Sequence, residues 1–213
     1  MLKSAAIVCL ISLSLINVAD ADEVEVRYKT FYSHVKKLDN EDTQALQFAF
    51  GFKHVTKGNL CTINSARIST EKQQLPLTVT PENRFTIQSE KALNLANAYV
   101  VIDFKEPSNQ CDISVQLETK PEYLKTNYTF EELRFIYEQY EAFFNEMGSF
   151  LSFMMPTVKG LTFQFSDKNL NQTSKSGEVI NEGLLILNDE WFERRKGLKL
   201  NTTPLRITAL ASN

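Results

Sequence analysis

The chain has two histidines, and they are the first side chains to consider because histidine is a common metal ligand and acid–base catalyst. His34 follows Phe31 and Tyr32, and His54 closes a strand-like run. No H-E-x-x-H or H-x-H spacing occurs, so the histidines do not have the separation that a zinc site requires. A single histidine is more often a packing or surface residue than a catalyst. We therefore predict no metal site and no cofactor.

Motifs for nucleophilic catalysis and phosphate binding are also missing. The chain has no G-x-S-x-G turn, and its seven glycines are scattered and form neither G-x-G-x-x-G nor a P-loop. The acidic pairs Glu131-Glu132 and Asp189-Glu190 each stand where a helix is predicted to begin, which accounts for them. Catalytic residues can assemble from distant positions, so a hydrolase with a dispersed site stays an alternative.

One carboxylate stands inside an apolar run. Asp103 interrupts the strand-like segment 100–104, Val-Val-Ile-Asp-Phe. Such a side chain is either exposed on a strand edge or held by a partner, because burying a lone charge is costly. We expect exposure and keep a functional role as the alternative.

A second candidate is an apolar segment near the end of the longest predicted helix. It contains Phe150, Leu151, Phe153, Met154 and Met155, and it is apolar almost all round. Either this end is buried in the core, which is the commoner case, or it lines a groove for an apolar ligand or partner. Methionines suit adaptable contacts, so these residues are our candidate groove.

The first residues have the three parts of a secretory signal peptide. Lys3 supplies the positive charge, residues 5–18 are mostly apolar, and Ala19-Asp20-Ala21 has small residues where signal peptidase cleaves. The alternative is a membrane anchor, but an apolar run of roughly 14 residues is shorter than the ~20 that span a bilayer. We predict cleavage after Ala21 and an exported mature protein.

Removal of residues 1–21 also removes one of the three cysteines, Cys9, and leaves Cys61 and Cys111. An even number of cysteines in an oxidising compartment predicts a disulfide. Closing a loop of about 50 residues would stabilise the fold by roughly 4 kcal/mol on the chain-entropy model. A reactive thiol would instead need an electropositive surrounding or a C-x-x-C motif, and neither is found.

Composition limits the classes of partner. The chain has 23 basic and 26 acidic side chains and a net charge of −3, so it lacks the basic excess of a nucleic-acid-binding protein. No segment after the signal is apolar for long enough to cross a membrane. The length favours one domain, residues 22–213.

Alternating apolar residues predict a series of strands in the first half. A strand over 23–27 leads into a short amphipathic helix that ends near Leu38. Phe48, Phe50 and Phe52 alternate with small and polar residues, which places three rings on one face of a strand. Further strands are predicted over 60–68, 75–80, 84–88, 98–104 and 111–118, with the first of these returning from the aromatic strand as a hairpin. Tight turns between them favour an antiparallel sheet.

The second half begins with a helix pattern. Thr129 and Glu132 form a capping box, and apolar positions then step by three and four. We predict a long helix that ends at Met155, before Pro156, and lies on the aromatic face. Strands over 161–165, 184–187 and 205–210, a mobile loop over 166–177 and a short helix near 188–191 complete the pattern.

Several spaced features resemble a family of exported gammaproteobacterial proteins whose domain is of unknown function. The resemblance implies a periplasmic location and a recurrent cysteine pair, and it implies no activity. The matching features are Phe31-Tyr32, Cys61-Thr62-Ile63, Leu75-Pro76-Leu77, Cys111-Asp112, Pro156 with Lys159-Gly160-Leu161, and Leu205-Arg206-Ile207-Thr208.

These observations lead to one architecture and two functional hypotheses. We predict an α+β domain in which a curved antiparallel sheet packs against one long helix in the C-terminal half, with a short N-terminal helix. The first hypothesis is a non-enzymatic periplasmic protein that binds or chaperones an apolar ligand or envelope partner. The second is a periplasmic hydrolase, which would need a cleft around Asp103 or His34.

Overall fold

The computed structural model describes residues 22–147 and 157–212. No helix within these ranges is both long and apolar enough to cross a membrane. In chain order the strands and α-helices are β1 (Asp22–Arg27), α1 (Tyr28–Val35), β2 (Leu46–His54), β3 (Ile63–Ser69), β4 (Gln74–Leu77), β5 (Phe85–Thr86), α2 (Lys91–Leu95), β6 (Tyr99–Phe104), β7 (Cys111–Thr119), β8 (Asn127–Tyr128), α3 (Phe130–Met147), β9 (Thr157–Gln164), β10 (Gln172–Thr173), β11 (Val179–Ile180), β12 (Leu184–Asn188), α4 (Asp189–Glu193), β13 (Leu198–Lys199) and β14 (Arg206–Ser212).

Three antiparallel sheets form most of the described fold. Sheet A has the strand order β1-β6-β3-β4, sheet B has β5-β2-β7, and sheet C has β12-β9-β14. The short pairs β8 with β13 and β10 with β11 are antiparallel too. The helices α1 and α3 pack against these sheets. The predicted α+β class, with a long helix in the C-terminal half and a short N-terminal one, is confirmed.

The long helix α3 begins at the predicted capping box. The backbone N–H of Thr129 donates to Glu132 Oε2 at 2.9 Å, and the backbone N–H of Glu132 donates to Thr129 Oγ1 at 3.2 Å. Each bond satisfies a donor that the first helical turn leaves free. The described part of α3 ends at Met147, and the predicted continuation to Met155 lies outside the described residues.

The three aromatic rings of β2 are shared among three neighbours. Phe48 meets Phe143 of α3 at a centroid distance of 5.8 Å, whereas Phe50 meets Phe31 of α1 at 5.0 Å. Phe52 meets a ring of β6 in sheet A at 4.8 Å. Among the described residues, the predicted contact between the aromatic face and the long helix is confirmed at Phe48, whereas α1 and sheet A contact Phe50 and Phe52.

The hairpin predicted between β2 and residues 60–68 is wrong. The returning chain makes one bridge, Lys53 with Leu60, which is flanked by hydrogen bonds from the His54 N–H to the Asn59 carbonyl at 2.8 Å and from the Cys61 N–H to the Phe52 carbonyl at 2.7 Å. It then leaves, and β3 pairs with β4 and β6 in sheet A. The reason is that β7 pairs with β2 from Leu46 to His54, its whole length, and β5 takes its other edge.

A buried tyrosine joins the long helix to sheets B and C. Tyr140 of α3 is fully buried, and its hydroxyl donates to the Ile207 carbonyl of β14 at 2.8 Å. The same hydroxyl lies 3.1 Å from Thr119 Oγ1 at the end of β7. Burial raises the pKa of Tyr140, since the phenolate would lose its hydration. These two bonds fix how the three elements meet.

Candidate ligand-binding site

The predicted disulfide is confirmed. Cys61 and Cys111 are bonded, with their Cα atoms 6.2 Å apart, and the bond ties the start of β7 to the chain that enters sheet A. His54 is paired with Cys111 across the sheet and is buried. Its Nδ1 accepts from the Thr56 backbone N–H at 3.3 Å, so this histidine holds the turn that follows β2.

The other two candidates for acid–base chemistry lie apart. Asp103 is half-buried on sheet A and accepts a hydrogen bond from Asn64 at 3.3 Å. His34 packs its ring against Phe48 at 5.7 Å, and burial followed by the charge of Lys37 lowers the pKa of this imidazole. The structure does not bring these two residues together.

The acidic pairs begin helices, as the sequence analysis proposed. Glu132 belongs to the capping box of α3, and its ion pair with Lys125 holds the pKa of the Glu132 carboxyl below its usual value. Asp189 opens α4 and accepts a hydrogen bond from the Tyr137 hydroxyl at 3.2 Å. Both pairs therefore have structural contacts.

The predicted apolar groove at Phe150, Leu151, Phe153, Met154 and Met155 lies outside the described residues. It stays a prediction. Among the grooves of the described residues, two adjoin each other beside β5 and differ in the side chains that line them.

The first of these, the arginine groove, is a cavity of about 230 Å³ that contains Arg84 and Arg206. Gln47 and Ala49 of β2 line its floor, on the polar face of sheet B, and Gly51 is the next residue on that face. Ala49 and Gly51 are small and buried, and a Cβ added at Gly51 would come within 2.9 Å of the Asn83 carbonyl oxygen and 3.3 Å of Arg84 Cγ. The small residues therefore make room for the arginine side chain to lie across the sheet.

A tight turn positions Arg84. The backbone N–H of Thr80 donates to the Arg84 carbonyl at 2.7 Å, and Asn83 adopts a left-handed φ of 58°, which asparagine tolerates better than most residues. The side chain of Asn83 accepts from the Ile63 backbone N–H at 3.1 Å, so the turn is anchored to sheet A. The Arg84 guanidinium then donates to the Ala49 carbonyl at 3.1 Å and, more weakly, to Ser114 Oγ at 3.5 Å.

Arg206 reaches the same groove from the start of β14. It is only 8% exposed, and its Nη1 donates to Gln116 Oε1 at 2.8 Å and lies 3.5 Å from Glu118 Oε2. Its Nε is buried and has no hydrogen-bond partner among the described residues. A buried donor without a partner costs about 1–3 kcal/mol, so this guanidinium keeps an unused capacity to donate.

Two arginines and two glutamates line the groove, and neither glutamate forms an ion pair with Arg84 within the described ranges. Burial lowers the pKa of Arg84, and the nearby charge of Arg206 lowers it further, whereas Glu118 acts in the opposite direction. Glu118 is already occupied, because it also accepts from Gln47 Nε2 at 3.1 Å. Glu82 lines the groove but forms no ion pair with either arginine within the described ranges. Both guanidinium groups would therefore attract an added anion.

The second groove, the apolar groove, has a volume of about 600 Å³. Leu75 and Leu77 of the edge strand β4 form one wall, and Leu93 of α2 lies on the other. All three leucines are half-buried and rest on the core. Thr78 and Thr86 line both this groove and the arginine groove, so the two grooves adjoin.

Tyr28 holds the wall that carries α2. Its hydroxyl donates to the Gln88 carbonyl at 2.6 Å and accepts from the Glu90 backbone N–H at 3.0 Å. Burial raises the pKa of Tyr28. The ring is fully buried at the start of α1, so the segment before α2 is fixed to the core through one side chain.

Sequence reasoning missed both arginines. Neither belongs to a motif, and they are 122 positions apart, Arg84 and Arg206. One signal was present, since Ala49 and Gly51 are the smallest residues on the polar face of β2. Small residues there indicate close approach of another segment.

Comparison with known proteins places the chain in a family but adds no site residue. A family model described as protein of unknown function (DUF2987) matches residues 20–165, which include Arg84, Glu118 and both bonded cysteines but end before Arg206. Neither the curated proteins nor the solved structures contain a match. Because the model spans more than half of its residues, the chain belongs to the family described as protein of unknown function (DUF2987).

Proposed function

We propose that this protein is an exported, non-enzymatic binding protein that holds an apolar ligand in the apolar groove. The single observation that carries the proposal is a groove of about 600 Å³ with three leucines, Leu75, Leu77 and Leu93, on its walls. Small-molecule sites in proteins have volumes of about 300–1,000 Å³ and are lined mainly by apolar side chains with a few polar groups. A groove of this size suits a small ligand better than a folded envelope partner.

The proposed location is the periplasm, reached by removal of residues 1–21, with residues 22–213 as one domain. The Cys61–Cys111 disulfide supports this proposal, because such bonds persist in oxidising compartments and are rare in the cytosol. The hydrolase alternative has no comparable support. Neither Asp103 nor His34 lines the apolar groove or the arginine groove.

Binding of N-phenyl-naphthylamine, an uncharged dye that fluoresces in apolar surroundings, tests the proposal. The unmodified protein is expected to raise the dye fluorescence in a saturable way. The variant Leu93→Gln places an amide in the groove wall and is expected to weaken dye binding about tenfold, which corresponds to about 1.4 kcal/mol.

The matched control is Leu95→Gln on the same helix. Leu95 is 70% exposed and does not line the groove, so this variant is expected to bind the dye like the unmodified protein. Both variants are first compared by thermal unfolding to confirm that they are folded. Absence of saturable binding to the unmodified protein, or equal weakening by both substitutions, would contradict the proposed function.

A further inference from the structure

The two grooves differ in chemistry although they share Thr78 and Thr86. Six apolar residues, three of them leucines, line one groove together with five polar residues, whereas the other groove contains two arginines and two glutamates. A single ligand that occupied both grooves would need an apolar part at one end and a polar part at the other. Such a molecule is an amphiphile, and the charge of the arginine groove determines which kind.

We propose that the ligand is a single-chain amphiphile with an anionic carboxylate or phosphate head, which Arg84 and Arg206 bind while the chain lies along Leu75, Leu77 and Leu93. This inference rests on the proposed function, and it adds the chemical class of the ligand.

The bonding of the arginines favours an anion over a neutral or cationic head. Arg84 donates only to neutral acceptors, the Ala49 carbonyl and Ser114 Oγ, and it forms no ion pair within residues 22–147 and 157–212. A guanidinium that is half-buried without a counter-ion attracts carboxylate or phosphate oxygens and can bind them through two parallel N–H groups. A cationic head would face two like charges with Glu118 already engaged, and Glu82 is the one carboxylate among the described residues of the groove without an ion pair to either arginine.

Arg206 adds a second, independent observation. It is more than nine-tenths buried, borders the groove, and has an Nε without a hydrogen-bond partner among the described residues. Its neighbour Glu118 lies 3.5 Å from Nη1, which is longer than the 2.7–2.9 Å typical of a strong charge-assisted hydrogen bond. The positive charge of Arg206 is therefore only partly compensated.

The experiment is a competition assay in which four amphiphiles with the same twelve-carbon chain displace N-phenyl-naphthylamine, each below its micelle concentration. Dodecanoate and dodecyl phosphate carry anionic heads, dodecanol is neutral, and dodecyltrimethylammonium is cationic. The anions are expected to compete at least about tenfold more tightly than dodecanol, a difference that should shrink at high salt. The ranking of the two anions identifies the head that fits.

Variants assign the preference to the arginines. Arg84→Gln is expected to bring the anions to within about threefold of dodecanol, measured on the same variant. Arg67→Gln is the control, because Arg67 is paired with Glu23 at 2.8 Å and lines neither groove. Arg206→Gln is a second variant. Because Arg206 is buried beside Glu118, its loss could destabilise the fold, so this variant is used only if its unfolding temperature equals that of the unmodified protein.

The outcomes separate the two proposals. If the dye binds and all four amphiphiles compete equally, the anionic head is overturned and the apolar groove stands. If the anions are preferred but Arg84→Gln and Arg67→Gln behave alike, the assignment to the arginine groove is overturned. If the dye does not bind at all, the proposed function fails.

Discussion

Substitution of Tyr140 by phenylalanine tests how α3 is joined to sheets B and C. It removes one hydroxyl from a fully buried side chain and leaves the ring in place. The loss affects two buried partners, the Ile207 carbonyl at 2.8 Å and Thr119 Oγ1 at 3.1 Å. Each hydrogen bond contributes about 1 kcal/mol net, and a partner left unsatisfied costs about 1–3 kcal/mol. We expect Tyr140→Phe to lower the free energy of unfolding by about 2–4 kcal/mol, out of a typical total of about 5–15 kcal/mol.

Urea unfolding measures this difference, provided that the slope of the transition is unchanged. The control is Tyr32→Phe, because Tyr32 is half-buried and its hydroxyl makes no hydrogen bond among the described residues. A third variant, Thr119→Val, removes the other end of one bond, and its effect combined with Tyr140→Phe should be less than additive. Losses for Tyr140→Phe and Tyr32→Phe that agree within about 0.5 kcal/mol would refute the reasoning.

Three further predictions concern stability. Replacing Cys61 and Cys111 by serine is expected to lower the free energy of unfolding in urea by about 2–5 kcal/mol. A loss no larger than that of an ordinary exposed substitution would contradict this prediction. Burial raises the pKa of Tyr128 from 10.0 to about 12, so its contribution to the free energy of unfolding is complete below pH 10 and is lost as the pH rises toward 12. Tyr128→Phe should therefore flatten the decline of the unfolding free energy at alkaline pH. An unchanged pH profile would contradict the burial argument. Gly51→Ala should displace the turn at Asn83 and cost about 1–3 kcal/mol in thermal or urea unfolding, whereas Gly58→Ala, where a Cβ meets nothing within 4 Å, isolates the cost of a positive φ.

Local patterns in the sequence predicted the elements well, because their signals lie within a few residues. The capping box at Thr129 and Glu132 forms as predicted. The short helix near 188–191 is α4, whose first turn is capped when Asn188 Oδ1 accepts from the Trp191 backbone N–H at 3.1 Å. The cysteine count gave the Cys61–Cys111 pair correctly, since only one pairing is left once Cys9 is removed.

Strand partners could not be predicted in the same way. The turn at 57–59 has the residues of a hairpin and its first bridge, Lys53 with Leu60, does form, yet β5 pairs with the same edge of β2 farther along, at Ala49 and Phe50. The turn at 81–83 likewise connects two different sheets, because β4 belongs to sheet A and β5 to sheet B. Turn residues specify a local reversal of the chain, whereas strand pairing depends on which distant segment buries the same apolar face.

The predicted loop over 166–177 shows the same limit. Its polar composition predicts an irregular segment, but β10 within it pairs with β11. The carboxylate of Glu178 accepts hydrogen bonds from Ser174, Ser176 and the Trp191 indole N–H. Polar residues that bond to one another give an ordered segment, and composition does not show whether they will meet.

The arginine groove depends on distant positions in the same way. Arg84 and Arg206 are 122 positions apart in the chain and line one groove because β7 brings Gln116 and Glu118 beside β14. No local pattern marks such a meeting. The sequence could have indicated only the floor of the arginine groove, where alanine and glycine alternate with phenylalanine along β2.

Native mass spectrometry of the protein, isolated without detergent from the cells that make it, tests the central claim most directly. We expect the folded protein to carry a retained small molecule, or to gain the mass of one dodecanoate when that acid is added, and Leu93→Gln to retain less. A spectrum that shows only the bare polypeptide, before and after dodecanoate is added, would contradict the claim that these grooves form a binding site.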